Sequence, residues 1–384
     1  MRAIVAGALA NKPGNGGEAW VRLTWVLGLR RLGVDAHLVE VIDEDVLRHE
    51  DGCGAGLAAS VNGRFFSEVV EAFGLAGAAT LACRGSGETL GLGPADLLAM
   101  AGETDLLINL SGHLDDQALL GAPRRRVYVD LDPVYTQVWH MDGLLGDHLL
   151  RHDVHLTVGG NIGTPRCAVA VGGIRWIPVA PPVLMEEWPL LPGGDDGPFT
   201  TVASWRGGHG TVEVGGVALG PKAHEFRRIL GLPRDVARTL EIALDIHPGD
   251  DADRRALEDA GWRLREPREV AATPGAFREY VRASFGEMSA AQGAYVRTGS
   301  GWLSDRTAHY LASGRPAVVQ DTGAAIPSGE GLMTFRTAAE AAAAAGELER
   351  EPARHREAAR ALAERLFDSD RVLARVLEVV GAGR

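Results

Sequence analysis

Polar side chains stand where apolar runs stop. "LLINLSGHLDD" runs into Ser111, Gly112 and His113, and "VYVDLDPVYTQVWH" into Asp130 and Asp132. A group at the carboxyl end of a buried strand faces the crevice above the sheet. There an imidazole or carboxylate can take a proton from a hydroxyl or amine. Histidine matches neutral pH on its unperturbed pKa, whereas aspartate needs burial or acts by orienting another group. His113 is therefore placed first as general base, with Asp132 as its partner or as a contact to a substrate hydroxyl, and Asp130 beside them. The structural alternatives are a capping or buried bond for Asp130 and a surface loop for His113.

A second set of residues suits anions. The turn Gly14, Asn15, Gly16 and Gly17 precedes a helix over 18–32 and leaves backbone N–H groups at its N-terminus. Its bareness is read as room for a substrate, against the alternative of a tight turn. Ser304 suits an N-cap, followed by Asp305 and Arg306, and Ser300 and Gly301 precede it in a loop able to hold a phosphate. Arg206 follows the run "TTVASW" and Lys222 opens the next helix, a pair able to neutralise a diphosphate. "GGHGTVEVGGVALG" separates the two. "LDIHPGD" sets His247 and Asp250 at a strand end. A dinucleotide site would want G-x-G-x-x-G with Glu40 on the next strand, but "GNGGEA" lacks the third glycine.

These groups must be positioned by the elements around them. "RAIVAGAL", the glycine turn, the helix with Val21, Trp25 and Leu29 on one stripe, and "DAHLVEV" form a strand–loop–helix–strand unit over a parallel sheet. Strands follow at 105–110, 126–131 and 153–158. "WPLLPGGDDGPF" interrupts the pattern, which restarts with strands at 200–205, 239–246 and 316–321. Thr337 and Glu340 mark a capping box before an alanine-rich helix, and the tail is helical. The expected organisation is an N-terminal Rossmann-like domain over 1–190, a hinge linker over 191–198, a second Rossmann-like domain over 199–366, and a last helix over 367–384 packing back on the first domain.

The 384 residues suffice for two cores. A formal charge of −12 disfavours nucleic acid as a partner. The apolar runs are too short to cross a bilayer, the N-terminus reads as a strand rather than an export signal, and Cys53, Cys83 and Cys167 form no CxxC pair. Reduced thiols and a cytoplasmic location are expected.

Two doubly wound α/β domains, a linker and a helical tail resemble the GT-B fold of nucleotide-sugar glycosyltransferases. "GNGGEAWVRLTWVLGLRRLGVDAHLVEV" is similar to the opening of those enzymes. "SGWLSDRTAHYLASGRPAVVQDTG" is similar to their donor-binding signature, with Ala312, Gly314, Pro316, Val318 and Val319 as its closing phrase. The resemblance implies transfer of a sugar from a nucleotide diphosphate donor to a small, natural-product-like acceptor, with no cofactor or bound metal. Together with the residue readings above, it gives the donor to Arg206, Lys222, His247, Ser300, Gly301, Ser304, Asp305 and Arg306, and to His309, which stands where relatives place a ribose-gripping glutamate. The acceptor or sugar side falls to Gly14–Gly17, His113, Asp130 and Asp132, with Trp139 and Trp302 as candidate aromatic contacts. The histidine that inverting relatives carry after the first strand is absent. A sugar-nucleotide epimerase and a non-catalytic sugar-nucleotide binder are the alternatives.

Overall fold

The computed structural model describes residues 1–50, 56–190 and 196–381. Most of the expected linker, 191–195, and Cys53 lie outside the described residues.

The first sheet holds β1 (Arg2–Ala6), β2 (Asp35–Asp43), β3 (Ala79–Arg84), β4 (Thr89–Leu90), β5 (Leu106–Leu110), β6 (Arg125–Asp130), β7 (Val154–Thr157) and β8 (Trp176–Pro178). Their order is β4-β3-β2-β1-β5-β6-β7-β8, parallel except for β4 against β3. The next strands are β9 (Phe199–Ser204), β10 (Val212–Val214), β11 (Val217–Leu219), β12 (Leu240–Asp245), β13 (Arg263–Arg265), β14 (Gly286–Ser289), β15 (Ala317–Gln320) and β16 (Leu332–Phe335). All but β10 and β11 form a second, parallel sheet ordered β13-β12-β9-β14-β15-β16, while β10 and β11 pair as a separate hairpin. Strands buried on both faces read as continuous apolar runs, as "LLINL" and "LEIALD" do. In each sheet the order reverses beside the first strand, opening a crevice at the carboxyl ends of β1 and β5 and of β9 and β14.

The two domains share one continuous apolar core. Trp20 donates from Nε1 to the carbonyl of Pro274 at 2.9 Å, and its ring lies 5.2 Å from that of Trp188, itself 6.0 Å from Phe277. Helix Ser369–Val379 returns to the first domain, where Leu373 packs so closely that a Cβ on Gly28 would lie 2.5 Å from its Cδ1. Arg31 grips Asp370 there with two 3.1 Å bonds. Among the described residues no helix is long and apolar enough to cross a membrane.

The glycine turn has a different cause from the one expected of it. Asn15 caps helix Gly16–Arg31 by accepting from the Glu18 N–H at 3.1 Å. The Gly16 N–H donates to Ala271 O at 2.7 Å, and a Cβ on Gly16 would lie 2.1 Å from Thr273 O. A Cβ on Gly17 would touch the Phe277 ring at 3.5 Å, and Gly14 supplies a φ of +79° in open space. The turn is bare because the second domain's backbone lies against it, so none of these four residues borders the central cavity.

Candidate active site

Between the domains lies a cavity of about 560 Å³, walled by the carboxyl ends of β1, β5 and β6 on one side and by the start of helix Asp305–Ala312 on the other. One end is charged: Lys12, Glu18, Arg22 and His113 from the first domain face Lys222, Asp305 and Arg306 from the second. The other end is apolar and aromatic, with Leu131, Trp139, Leu145, Tyr295 and Trp302.

At the charged end Glu18 sits between Arg22, with which it forms an i,i+4 ion pair, and Lys12, 3.3 Å from its Oε2. Burial works to raise the Glu18 carboxyl, but the two cations outweigh it and hold it down to about 2. Arg22 is 1% exposed, and its Nε has no partner among the described residues. Burial, then the Arg22 and Lys12 charges, lower the His113 imidazole to about 4, so it is neutral at pH 7. In the backbone leading to it, Ser111 takes an uncommon positive φ of 51°, and Gly112 follows at 69°, which a glycine adopts freely. A side chain at Gly112 would collide with His148 Nε2 at 2.6 Å.

From the second domain, Ser304 caps the helix by accepting from the Arg306 N–H at 3.3 Å. Lys222 borders the cavity and makes no hydrogen bond or ion pair among the described residues. Burial, then the Arg306 charge, lower its ammonium to about 7. Asp305 is pushed up to about 6, first by burial and then by Glu18. Arg306 is largely committed to the protein: Nε donates to Glu287 at 2.8 Å, Nη1 to Val202 O at 2.8 Å and Nη2 to Ser289 at 2.7 Å.

At the end of β6 the two aspartates divide the work. Asp130 is fully buried and accepts from Thr136 (2.7 Å), Gln137 (2.9 Å), Thr157 (2.8 Å) and the Asp132 N–H (3.0 Å). Burial raises its carboxyl to about 6. With its oxygens filled and no face on the cavity, Asp130 does not stand in the catalytic place expected of it; it is a buried anchor for the chain around Asp132. Asp132 does border the cavity, and its partner is not His113 but His209, whose Nε2 lies 2.9 Å from its Oδ1.

Several other expected contacts fall elsewhere. His247 is exposed and caps a turn, its Nδ1 accepting from the Gly249 N–H at 2.9 Å. Arg206 is 60% exposed and held in a two-bond pair by Asp250 (2.7 and 2.9 Å), outside the cavity wall. Ser300 and Gly301 form a seam with the first domain. The Asn161 N–H donates to Ser300 O at 2.9 Å, Gly160 N–H to Gly301 O at 3.3 Å, and a Cβ on Gly301 would meet Asn161 at 2.9 Å. His309 touches the cavity but is 1% exposed and stacked on Trp188 at 4.4 Å, and neither ring nitrogen has a partner among the described residues.

Sequence reasoning missed His209, Arg22 and Lys12 as members of the wall. His209 was present in "GGHG" but read as spacer. A basic residue on an otherwise apolar helix stripe was the available sign for Arg22.

No family model matches the sequence, and no curated protein matches it. Solved structures match over the whole chain. An alpha-glucosyltransferase in complex with UDP and a 13-mer DNA is 12% identical, with a TM-score of 0.58 and 99% of each chain covered. Anabaena Alr3699/HepE in complex with UDP is 14% identical, with a TM-score of 0.56 and 99% of each chain covered. The pneumococcal O-GlcNAc transferase GtfA, in complex with UDP and GlcNAc, is 8% identical at a TM-score of 0.52, covering 100% of this chain and 99% of that one. The chain therefore has the GT-B fold: two Rossmann-like domains facing a central cleft.

Proposed function

We propose that the chain is a bacterial glycosyltransferase that moves a hexose from a nucleotide diphosphate sugar, with UDP as the nucleotide, to a small natural-product-like acceptor. The observation that carries this reading is the placing of Lys222 beside the N-terminus of helix Asp305–Ala312 at one end of a cleft between two nucleotide-type domains. An ammonium with no hydrogen bond or ion pair among the described residues and a helix start together suit a diphosphate. The reading needs no resident metal or cofactor, because these groups supply the positive charge. Ser304 and Asp305 would meet the donor beside Lys222, and Arg206 would have to exchange Asp250 for the ligand to join them.

Lys12, Arg22 and His113 would meet the sugar or the leaving phosphate from the first domain. The aromatic end would hold the acceptor, with Trp139 and Trp302 as its walls. The formal charge of −12 supports a small acceptor over a nucleic acid. The free buried thiols Cys83 and Cys167 suit the cytoplasm. A thermal-shift screen of nucleoside diphosphates and nucleotide sugars tests the donor, since a ligand bound only by the native state raises its melting point. UDP release that an added acceptor accelerates above slow hydrolysis by water supports transfer. Conversion of donor alone into an isomer would mark an epimerase, and binding without any turnover a binding protein.

A further inference from the structure

We propose that His209, carried by the second domain, crosses the cleft to form with Asp132 the pair that accepts the acceptor's proton; the inference rests on the glycosyl-transfer reading above. Sequence supplies no histidine after β1, and the geometry supplies one from the other domain. Nε2 of His209 stands 2.9 Å from Oδ1 of Asp132, and both residues border the cavity.

Both partners are fixed by their surroundings. Asp132 is tied through its own N–H to Asp130, which Thr136, Gln137 and Thr157 hold in turn. Val134, two residues on, takes a φ of 77°, a strained setting for a β-branched residue, and its N–H donates to Gln137 Oε1. His209 lies between Gly207 and Gly210, at φ +70° and +69°, which lets the chain turn tightly on either side of it. Its ring is 5.0 Å from Tyr135 and 5.0 Å, edge to face, from Trp139. The Tyr135 hydroxyl donates to Gln292 at 2.6 Å, and Val212 and Leu219 of the β10–β11 hairpin bury themselves in the same apolar cluster as Tyr135 and Val138. The segment carrying His209 is thus docked on the first domain at the aromatic end, where the acceptor is placed.

A carboxylate that accepts from Nε2–H fixes the tautomer and leaves Nδ1 with a lone pair. The acceptor's O–H bond then breaks with its proton going to Nδ1. The oxygen's electron pair forms the bond to the anomeric carbon, while the bond from that carbon to the diphosphate breaks and its pair leaves with UDP. Such a direct displacement inverts the anomeric centre. His113, among Arg22 and Lys12 at the charged end, is left to bind rather than to accept the proton.

The test uses the full chain with UDP-glucose, water serving as acceptor, and calorimetry with UDP in parallel. His209→Ala and Asp132→Asn are expected to lose on the order of 10²–10⁴ in UDP release while binding UDP within about threefold of the parent. Added imidazole should restore His209→Ala by roughly tenfold or more, which a purely structural histidine would not permit. A His209→Ala rate within about threefold of the parent overturns the inference. So does a lost rate that imidazole fails to restore and that falls in step with UDP affinity. A parent that binds UDP yet releases none from UDP-glucose, UDP-galactose or UDP-N-acetylglucosamine makes the pair a clasp between domains, and the inference fails alone. A parent that does not bind UDP removes the glycosyl-transfer reading and the inference with it.

Discussion

Gly16 and Thr273 lie so close that a Cβ on the glycine would fall 2.1 Å from the threonine's carbonyl oxygen. The first domain's opening turn is therefore a seat for the second domain's backbone. The contact joins the Gly16 N–H bond to Ala271 and the Trp20 bond to Pro274 in one seam.

Gly16→Ala should separate these backbones at a cost of about 1–3 kcal/mol, the range for forcing volume into a packed site. Gly14→Ala, in open space but at positive φ, should cost about 1 kcal/mol through the backbone alone. Chemical unfolding of both variants checks the order, and a milder effect at Gly16 than at Gly14 would break the explanation.

Lys222, lowered to about 7, should make donor affinity depend on pH. A diphosphate favours the ammonium, so UDP-glucose should bind best below pH 7 and weaken as the pH rises through it. UDP-glucose is the ligand to use because its diphosphate does not titrate in this range. Lys222→Met should lose about 1–3 kcal/mol at pH 6.5 and flatten the slope. Calorimetry at pH 6, 7 and 8.5 decides; an unchanged slope in the variant assigns the titration to another group.

His309 is lowered to about 3, by burial first and then by Arg306, against 6.5 for an unperturbed imidazole. The unfolded chain then binds a proton near pH 5 that the folded one refuses, so stability falls as the pH drops from 6.5 toward 3. The loss at pH 5 amounts to about 2 kcal/mol for this group. His309→Phe, in a pocket of Trp188, Trp20 and Phe277, should be close to neutral at pH 7.5 and clearly more stable than the parent at pH 5. Melting curves at the two pH values check this, and equal pH dependence in parent and variant would contradict the burial argument.

Asp130 and Asp132 should separate by stability. Asp130→Ala leaves Thr136, Gln137, Thr157 and the Asp132 N–H without their acceptor and should cost about 3–5 kcal/mol, as for a broken buried network. Asp132→Asn, at a half-exposed site, should stay within about 1 kcal/mol of the parent. Equal destabilisation of the two would mean that Asp132 is structural as well.

Much of the fold was legible because parallel strands announce themselves as short apolar runs. "LLINL", "RVYVD", "VHLT", "FTTVAS" and "LEIALD" all lie in the two sheets. The short strands β4, β8, β10 and β11 were not, since two or three residues carry no period. The site was legible only where local sequence settles it, as for Ser304 at a helix start and His113 and Asp132 at strand ends. Whether Arg306 turns to a ligand or to Glu287, and whether Asp132 meets His113 or His209, depends on residues distant in the chain. The same holds for Gly16, whose neighbour Thr273 is 257 positions away by their numbers.

The most direct test of the account is a calorimetric titration of UDP into the parent protein at pH 7, repeated with Lys222→Met. Saturable binding of one UDP per chain, weakened roughly tenfold or more in the variant, is the predicted result. No heat of binding at millimolar UDP, or equal affinity in both proteins, would contradict the placing of the donor diphosphate at Lys222 and the helix that begins at Asp305.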